Sequence, residues 1–310
     1  MPGLRALRAP GPVALLIVGS ATSLSHAAPP GTPGIAVPLH ALRHDCNEPG
    51  LPRLAGPWVI GCGPDGRVDR ALSLESGRVV LFPRALTGVG TGPGVVLATG
   101  RTGGLFTLEE DGVVENPDAT RILEPLLAPP ATDGVHIALL SERGLQADVA
   151  TATARSLHPV RPMGWQPPAM NWPWVAWVED SGGGDADVWV RDARERTSAR
   201  ALAAGTGRQD RVVGRTGWFA WVDQGDVVLF EPESSHQRRL DTQTGFRAAP
   251  TVWKGEACWE IRGEGIDIAC TDLPGVGGPG HQGWPDRWDR WLLYREGNQT
   301  MLYTAPDDAE

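Results

Sequence analysis

The chain has 310 residues, with 28 basic and 37 acidic side chains and a formal net charge of −9. Such a balance excludes an ordinary nucleic-acid surface, which needs clustered Lys and Arg; Lys254 is the only lysine. Forty Gly and 28 Pro break any long helix, and no segment holds a 3.6-residue apolar period for long, so the composition predicts an all-β chain.

The first element is a leader. Arg5 and Arg8 precede the apolar run PVALLIVG at Pro12–Gly19, and Ser25-His26-Ala27-Ala28 supplies small residues for cleavage. This pattern predicts a secretory signal over 1–27 and a mature domain over 28–310. The apolar run is short of the roughly 20 residues that span a bilayer. No later segment is apolar enough to span, and no Cys stands near the cleavage point to carry a lipid. Removal of the leader leaves 26 basic against 37 acidic residues, a charge of −11. The expected location is periplasmic or extracellular.

Cys46, Cys62, Cys258 and Cys270 form an even set, which in an exported chain predicts disulfides. CWEIRGEGIDIAC is a self-facing hairpin about Gly263-Glu264-Gly265 and sets Cys258 opposite Cys270. Cys46 and Cys62 are then left for each other. Zinc competes for the same residues, but no CxxC pair and no nearby His accompanies either couple.

Repetition organises the rest. WVAWVEDSGGGDADVWVRD at Trp174–Asp192 is an apolar run, a polar turn and a second apolar run. WFAWVDQGDVVLFEP, ACWEIRGEGIDIACTD and WLLYREGNQTMLYTA repeat it downstream. GVVLATGRTGGLFTLEE, HIALLSERGLQADVATAT and the divergent WVIGCGPDGRVDRALSL precede it. The units begin near 58, 95, 136, 175, 219, 257 and 292, at a mean step of about 39 residues. That period suits a propeller blade. Runs such as FAWV and VVLF are apolar on both faces, as strands between stacked blades must be. Trp177, Trp189, Trp221 and Trp259 within these runs are expected to fill the space between blades.

PAMNWPWVAWVEDSGGGDADVWVRD, VVGRTGWFAWVDQGDVVLFEP and APTVWKGEACWEIRGEGIDIACTD together resemble TolB-type β-propeller repeats. The match is good over about 168–272 and weaker elsewhere. The Pro-Asp-Gly turn that such repeats place before the Val-Ala-Trp strand is missing in these copies. Propellers of that type commonly have six blades, whereas the units here number seven. The expected fold is therefore all-β, a single propeller of seven blades, with six as the alternative. The last unit, from Asp286, has only two clear strands. GIAVPLH at Gly34–His40 is extended and apolar, and as an outer strand it would complete that blade and close the ring; a disordered linker is the competing reading. The acidic tail over 306–310 is expected to be disordered.

Chemistry-bearing motifs are sparse. Asp180, Asp185 and Asp187 hint at calcium, but the bidentate Glu of an EF-hand loop is missing, and Asp226 and Asp267 recur at the same place as turn devices. There is no GxSxG elbow and no HExxH pair. No catalytic residue, metal or cofactor is assigned. The candidate ligand contacts lie in GWQPPAMNWPW and GWPDRWDRW, where Trp stands among Pro, Asp and Arg: Trp165, Trp172, Trp284, Asp286, Arg287 and Trp288. The resemblance implies an exported, non-catalytic and monomeric binding platform for a protein or cell-envelope ligand. The competing reading is an envelope polysaccharide or peptide hydrolase or lyase.

Overall fold

Hairpins that are apolar on both faces are stable only between two neighbouring sheets. The computed structural model arranges them so. It describes residues 35–306 apart from 44, 48–50, 100–103, 117–125, 143, 150–154, 159–165, 183–184, 195–198, 205–208, 241–245, 264, 274–275 and 277–280. The leader at 1–27, Trp165 and the tail at 307–310 lie outside the described residues.

Seven antiparallel sheets follow one another along the chain. Blade 1 comprises β2 (Arg53–Leu54), β3 (Trp58–Cys62), β4 (Val68–Ser73) and β5 (Val79–Leu86). Blade 2 comprises β6 (Gly90–Gly92), β7 (Val95–Ala98), β8 (Gly104–Glu109) and β9 (Gly112–Asn116). Blade 3 has β10 (Ala131–Thr132), β11 (His136–Ser141), β12 (Gly144–Val149) and β13 (Arg155–His158), and blade 4 has β14 (Ala169–Asn171), β15 (Trp174–Gly182), β16 (Asp185–Asp192) and β17 (Arg200–Ala203). Blade 5 is β18 (Gln209–Arg215), β19 (Trp218–Asp223), β20 (Asp226–Glu231) and β21 (His236–Leu240). Blade 6 shows three strands among the described residues: β22 (Phe246–Trp253), β23 (Glu256–Arg262) and β24 (Ile266–Cys270). Blade 7 is β25 (Gln282–Trp288), β26 (Trp291–Glu296) and β27 (Gln299–Thr304), and its fourth, outer strand is β1 (Ile35–Pro38) from the other end of the chain.

The inner strands β2, β6, β10, β14, β18, β22 and β25 touch in that order, and β25 touches β2, so the ring is closed. The N-terminal segment therefore does complete the last blade, with Ile35 opposite Thr304 and Pro38 opposite Met301. The seven sequence units start at the second strand of each blade, not the first. Their two runs are the middle strands, which are the ones covered on both faces.

Each seam between blades has its own apolar cluster. Ile60, Val80 and Phe82 of blade 1 meet Val96, Phe106 and Leu108 of blade 2. Leu54, Val59 and Leu72 meet Trp291, Leu293 and Leu302 where blade 7 returns to blade 1. The repeated tryptophan has one job in three successive copies: Trp177, Trp221 and Trp259 each pack into the seam with the preceding blade. Trp177 and Trp221 are wholly buried.

Both expected disulfides are present, Cys46–Cys62 and Cys258–Cys270. Cys258 and Cys270 face each other across β23 and β24 with their Cα atoms 4.1 Å apart. The neighbouring Thr271 N–H donates to Ala257 O (2.9 Å), so the cysteines occupy the closely spaced, non-hydrogen-bonded position of the ladder. The bond fastens the two outermost described strands of blade 6. By loop-entropy reasoning, such a short closure contributes about 3 kcal/mol.

Tyr294 on β26 lies buried beside Tyr303, in the seam with blade 6. Burial, reinforced by the charges of Glu296 and Tyr303, raises its phenol from 10.0 to about 12. The folded form thus holds this proton more tightly than the unfolded chain. Its contribution is fully present below pH 10 and is lost as pH rises towards 12. Y294F is expected to flatten that alkaline loss of stability in denaturant titrations between pH 9 and 12. An unchanged alkaline profile in the variant would show that Tyr294 does not carry it.

Candidate functional site

Because the inner strands share one direction, the ring has two distinct ends. At one the inner strands begin; at the other they end and turn into the second strands. The sequence candidates divide between these ends.

Trp172 lies at the strand-end side, in the turn after β14. Its indole stacks flat on the His136 imidazole of blade 3, with centroids 3.8 Å apart and planes at 2°. Asp133 holds that imidazole through Nδ1 at 3.1 Å. Trp288, at the end of β25, tilts against Trp253 of blade 6 at 4.6 Å. Arg287 is buried and grips Asp272 through both terminal nitrogens, at 2.5 and 2.6 Å, while its own N–H donates to Thr251 Oγ1. Asp286 accepts from the Leu54 N–H of blade 1 (2.7 Å) and pairs with Arg215 of blade 5 (3.0 Å). The Arg215 guanidinium also donates to the carbonyl oxygens of Arg287 and Leu54. One side chain thus ties blades 5, 7 and 1 together.

Trp284 stands apart, at the strand-start mouth. Its backbone is left-handed (φ 58°) and the residue is 42% exposed. The cause is a bulge that recurs in three successive inner strands. Register shifts fall between Asp210 and Val213, between Ala248 and Thr251, and between Gly283 and Asp286. Each contains one left-handed residue: Arg211 (φ 51°), Ala249 (φ 44°) and Trp284. A bulge re-aims the side chain it carries. Here the middle position is the small Ala249, and Arg211 of blade 5 reaches over to the Trp284 ring of blade 7, its guanidinium carbon 4.6 Å from the ring centroid.

Buried side chains from the preceding blade hold two of these bulges. The Arg211 N–H donates to Gln166 Oε1 (2.9 Å), and the Trp284 N–H donates to Glu260 Oε1 (2.6 Å). Gly283 leaves room for the second contact, since a Cβ there would stand 3.0 Å from Glu260 Oε1 and would crowd it. Glu260 and Asp223 at this mouth are engaged, whereas the buried Asp187 Oδ1 at the blade 4 hairpin finds no hydrogen-bond partner among the described residues. Arg262 clasps Glu260 Oε2 at 2.7 and 3.0 Å. Asp223 accepts from Gln209 Nε2 (2.9 Å) and is paired with Arg239, which also binds Asp226. The hydrogen bonds that Arg239 donates to Asp226 and Asp223 raise its guanidinium above its ordinary value. Two buried amide oxygens, Gln209 Oε1 and Gln282 Oε1, have no hydrogen-bond partner among the described residues. Each lies two residues before a member of the Arg211–Trp284 pair on the same strand.

The Asp residues of the long blade 4 hairpin do not converge. Asp180 Oδ1 accepts from the Gly182 N–H (2.8 Å), as a turn device, while Asp187 faces Glu179 across the ladder. Among the described residues, no group of three or more His, Cys, Asp or Glu side chains is placed to hold a metal ion.

Arg211, Glu260, Gln166, Gln209 and Gln282 were not among the sequence candidates. The one available signal was proline. Pro250 and Pro285 interrupt strand-like runs, and a proline inside a strand marks a bulge or an edge.

Fold and site together define a seven-bladed β-propeller with an aromatic, ion-paired mouth at one end of its axis. No protein-family model matches the chain, nor does any curated protein sequence. Among solved structures, BamB from Moraxella catarrhalis is similar at 11% identity and a TM-score of 0.49, over 88% of this chain and 99% of that one. The computationally designed Ika8 protein is similar at 11% identity and a TM-score of 0.49, over 81% and 82%. TolB from Acinetobacter baumannii is similar at 14% identity and a TM-score of 0.40, over 84% and 79%. The assignment of seven blades rests on the strand pairings themselves.

Proposed function

We propose that the chain is an exported, non-catalytic propeller that binds a protein or cell-envelope ligand at its strand-start mouth. The observation that carries this reading is Trp284. A bulky residue with positive φ is strained, and such strain persists chiefly where it serves a site. Here it holds a large aromatic side chain at the mouth, backed by Arg211 and anchored by Glu260. The state of Glu260 and Asp223 supports binding over hydrolysis. A glycosidase needs two carboxyl groups available for acid and nucleophile or base roles, whereas Glu260 and Asp223 are each tied to a guanidinium. Export is supported by the leader pattern at 1–27 and by two disulfides, which form in oxidising compartments.

The test places a photo-crosslinking amino acid at position 284 of the full chain and, as a control, at exposed Leu81 on the outer strand of blade 1. Illumination with an envelope fraction is expected to give a discrete adduct from position 284 only. Equal adducts from both positions would sink the reading. So would turnover of envelope polysaccharide by the purified protein that disappears in E260Q.

A further inference from the structure

We infer that the ligand of this mouth is a neutral, polyhydroxylated one: a sugar ring of an oligosaccharide stacked on the exposed face of Trp284. The inference rests on the mouth being the binding site, as proposed above. Three observations point to sugar chemistry. The first is the aromatic platform. Arg211 covers the Trp284 ring from one side, yet the residue stays 42% exposed. A fixed indole of this kind matches the C–H face of a sugar ring, which is apolar while its edge is polar.

The second is charge. Arg262 is matched by Glu260, and Arg239 by Asp223 and Asp226. A charged ligand that engaged Glu260, Asp223, Arg239 or Arg262 would have to break one of these pairs and leave its partner without compensation. Hydroxyl groups make no such demand. They donate to a carboxylate and accept from a guanidinium in one contact, so they can join the existing pairs at the half-exposed arginines. The third is the unmet acceptors. Gln209 Oε1 and Gln282 Oε1, each two residues before Arg211 or Trp284 on the same strand, are buried without a donor among the described residues. A buried acceptor left unmade is unfavourable, and a water held between it and a ligand hydroxyl supplies the missing donor.

The strain at Trp284 fits the same account. Glycine would adopt φ 58° without penalty, so the tryptophan is held there against local preference. W284G is therefore expected to melt at or above the temperature of W284A while lacking the platform.

The experiment titrates the full mature chain with cellohexaose, maltohexaose and chitohexaose up to about 10 mM, a range that covers weak small-ligand affinities. Tryptophan fluorescence and calorimetry are read together, on wild type, W284F, W284A and W284G. At least one oligosaccharide is expected to bind. Its affinity should fall about tenfold or more in W284A and W284G and be largely kept in W284F, which preserves the stacking face. Binding that is equal in wild type and W284A overturns the assignment. If no oligosaccharide binds while the position-284 crosslinker captures a protein, the sugar assignment is overturned and the mouth remains the site. If neither occurs, both readings fall.

Discussion

Deletion of residues 28–38 is expected to lower the melting temperature by roughly 10 °C and to make the protein self-associate. Strand β1 contributes a four-residue ladder to β27, and the Leu39 N–H adds a bond to Thr300 O at 2.8 Å. Four or five such bonds at about 0.5–1.5 kcal/mol each amount to about 2–7.5 kcal/mol. In a chain of this size, each kcal/mol shifts the melting point by about 2–4 °C. The deletion also bares the edge of β27 beside the buried run Thr300–Tyr303, and an unpaired apolar edge recruits other strands. The segment after β1 crosses to blade 1, where Leu42 joins the seam cluster and Cys46 is bonded to Cys62. The closing strand is therefore tethered covalently to the blade beside the one it completes. Calorimetry and size-exclusion chromatography check the expectation, and a synthetic GIAVPLH peptide should restore both properties. A truncated protein that melts like the parent and stays monomeric would show that β1 is dispensable for closure.

The closure strand was legible in the sequence for the same reason as the blades. GIAVPLH is an apolar extended run placed before any unit, and the final unit lacked a partner strand. The middle strands of each blade were legible because FAWV, VVLF and WVAWV are apolar on both faces, a local property. Cys258 and Cys270 were legible because a hairpin fixes which residues oppose. Four of the seven inner strands were not. β2 and β10 have two residues and β6 and β14 three, too few to show a period. The candidate site was illegible for a deeper reason. GWPDRWDRW groups Trp284, Asp286, Arg287 and Trp288 within five residues, yet the bulge and the strand direction send Trp284 to one end of the axis and Trp288 to the other. Arg211 meets Trp284 only because Ala249 intervenes and the ring curves. Contacts between blades 5 and 7 follow from closure, and no local pattern encodes them.

The cross-axis contact at the strand-end side makes the last expectation quantitative. D286A should destabilise the protein by about 3 kcal/mol, the scale for removing one partner of a largely buried ion pair. Asp286 and Arg215 are 16% and 19% exposed in their side chains, so solvent screens the pair only in part. Loss of the carboxylate also strands the Leu54 N–H, which donates to Asp286 Oδ2 at the seam where the ring closes. R215M removes the guanidinium but keeps the length of the stem, leaving Asp286, Arg287 O and Leu54 O short of one donor. In denaturant titrations the losses of the two single variants should sum to more than the loss of the double variant. A coupling energy of at least about 1.5 kcal/mol is the expected size for a close, partly desolvated pair. D286N separates the two roles, because its amide oxygen can still accept from Leu54 while its charge is gone. It should recover part of the loss in D286A but none of the coupling to Arg215. If the single effects add to within about 0.5 kcal/mol, the pair is not a unit. Closure of the ring would then rest on strand β1 and the apolar seam of Leu54, Val59, Trp291 and Leu293 alone.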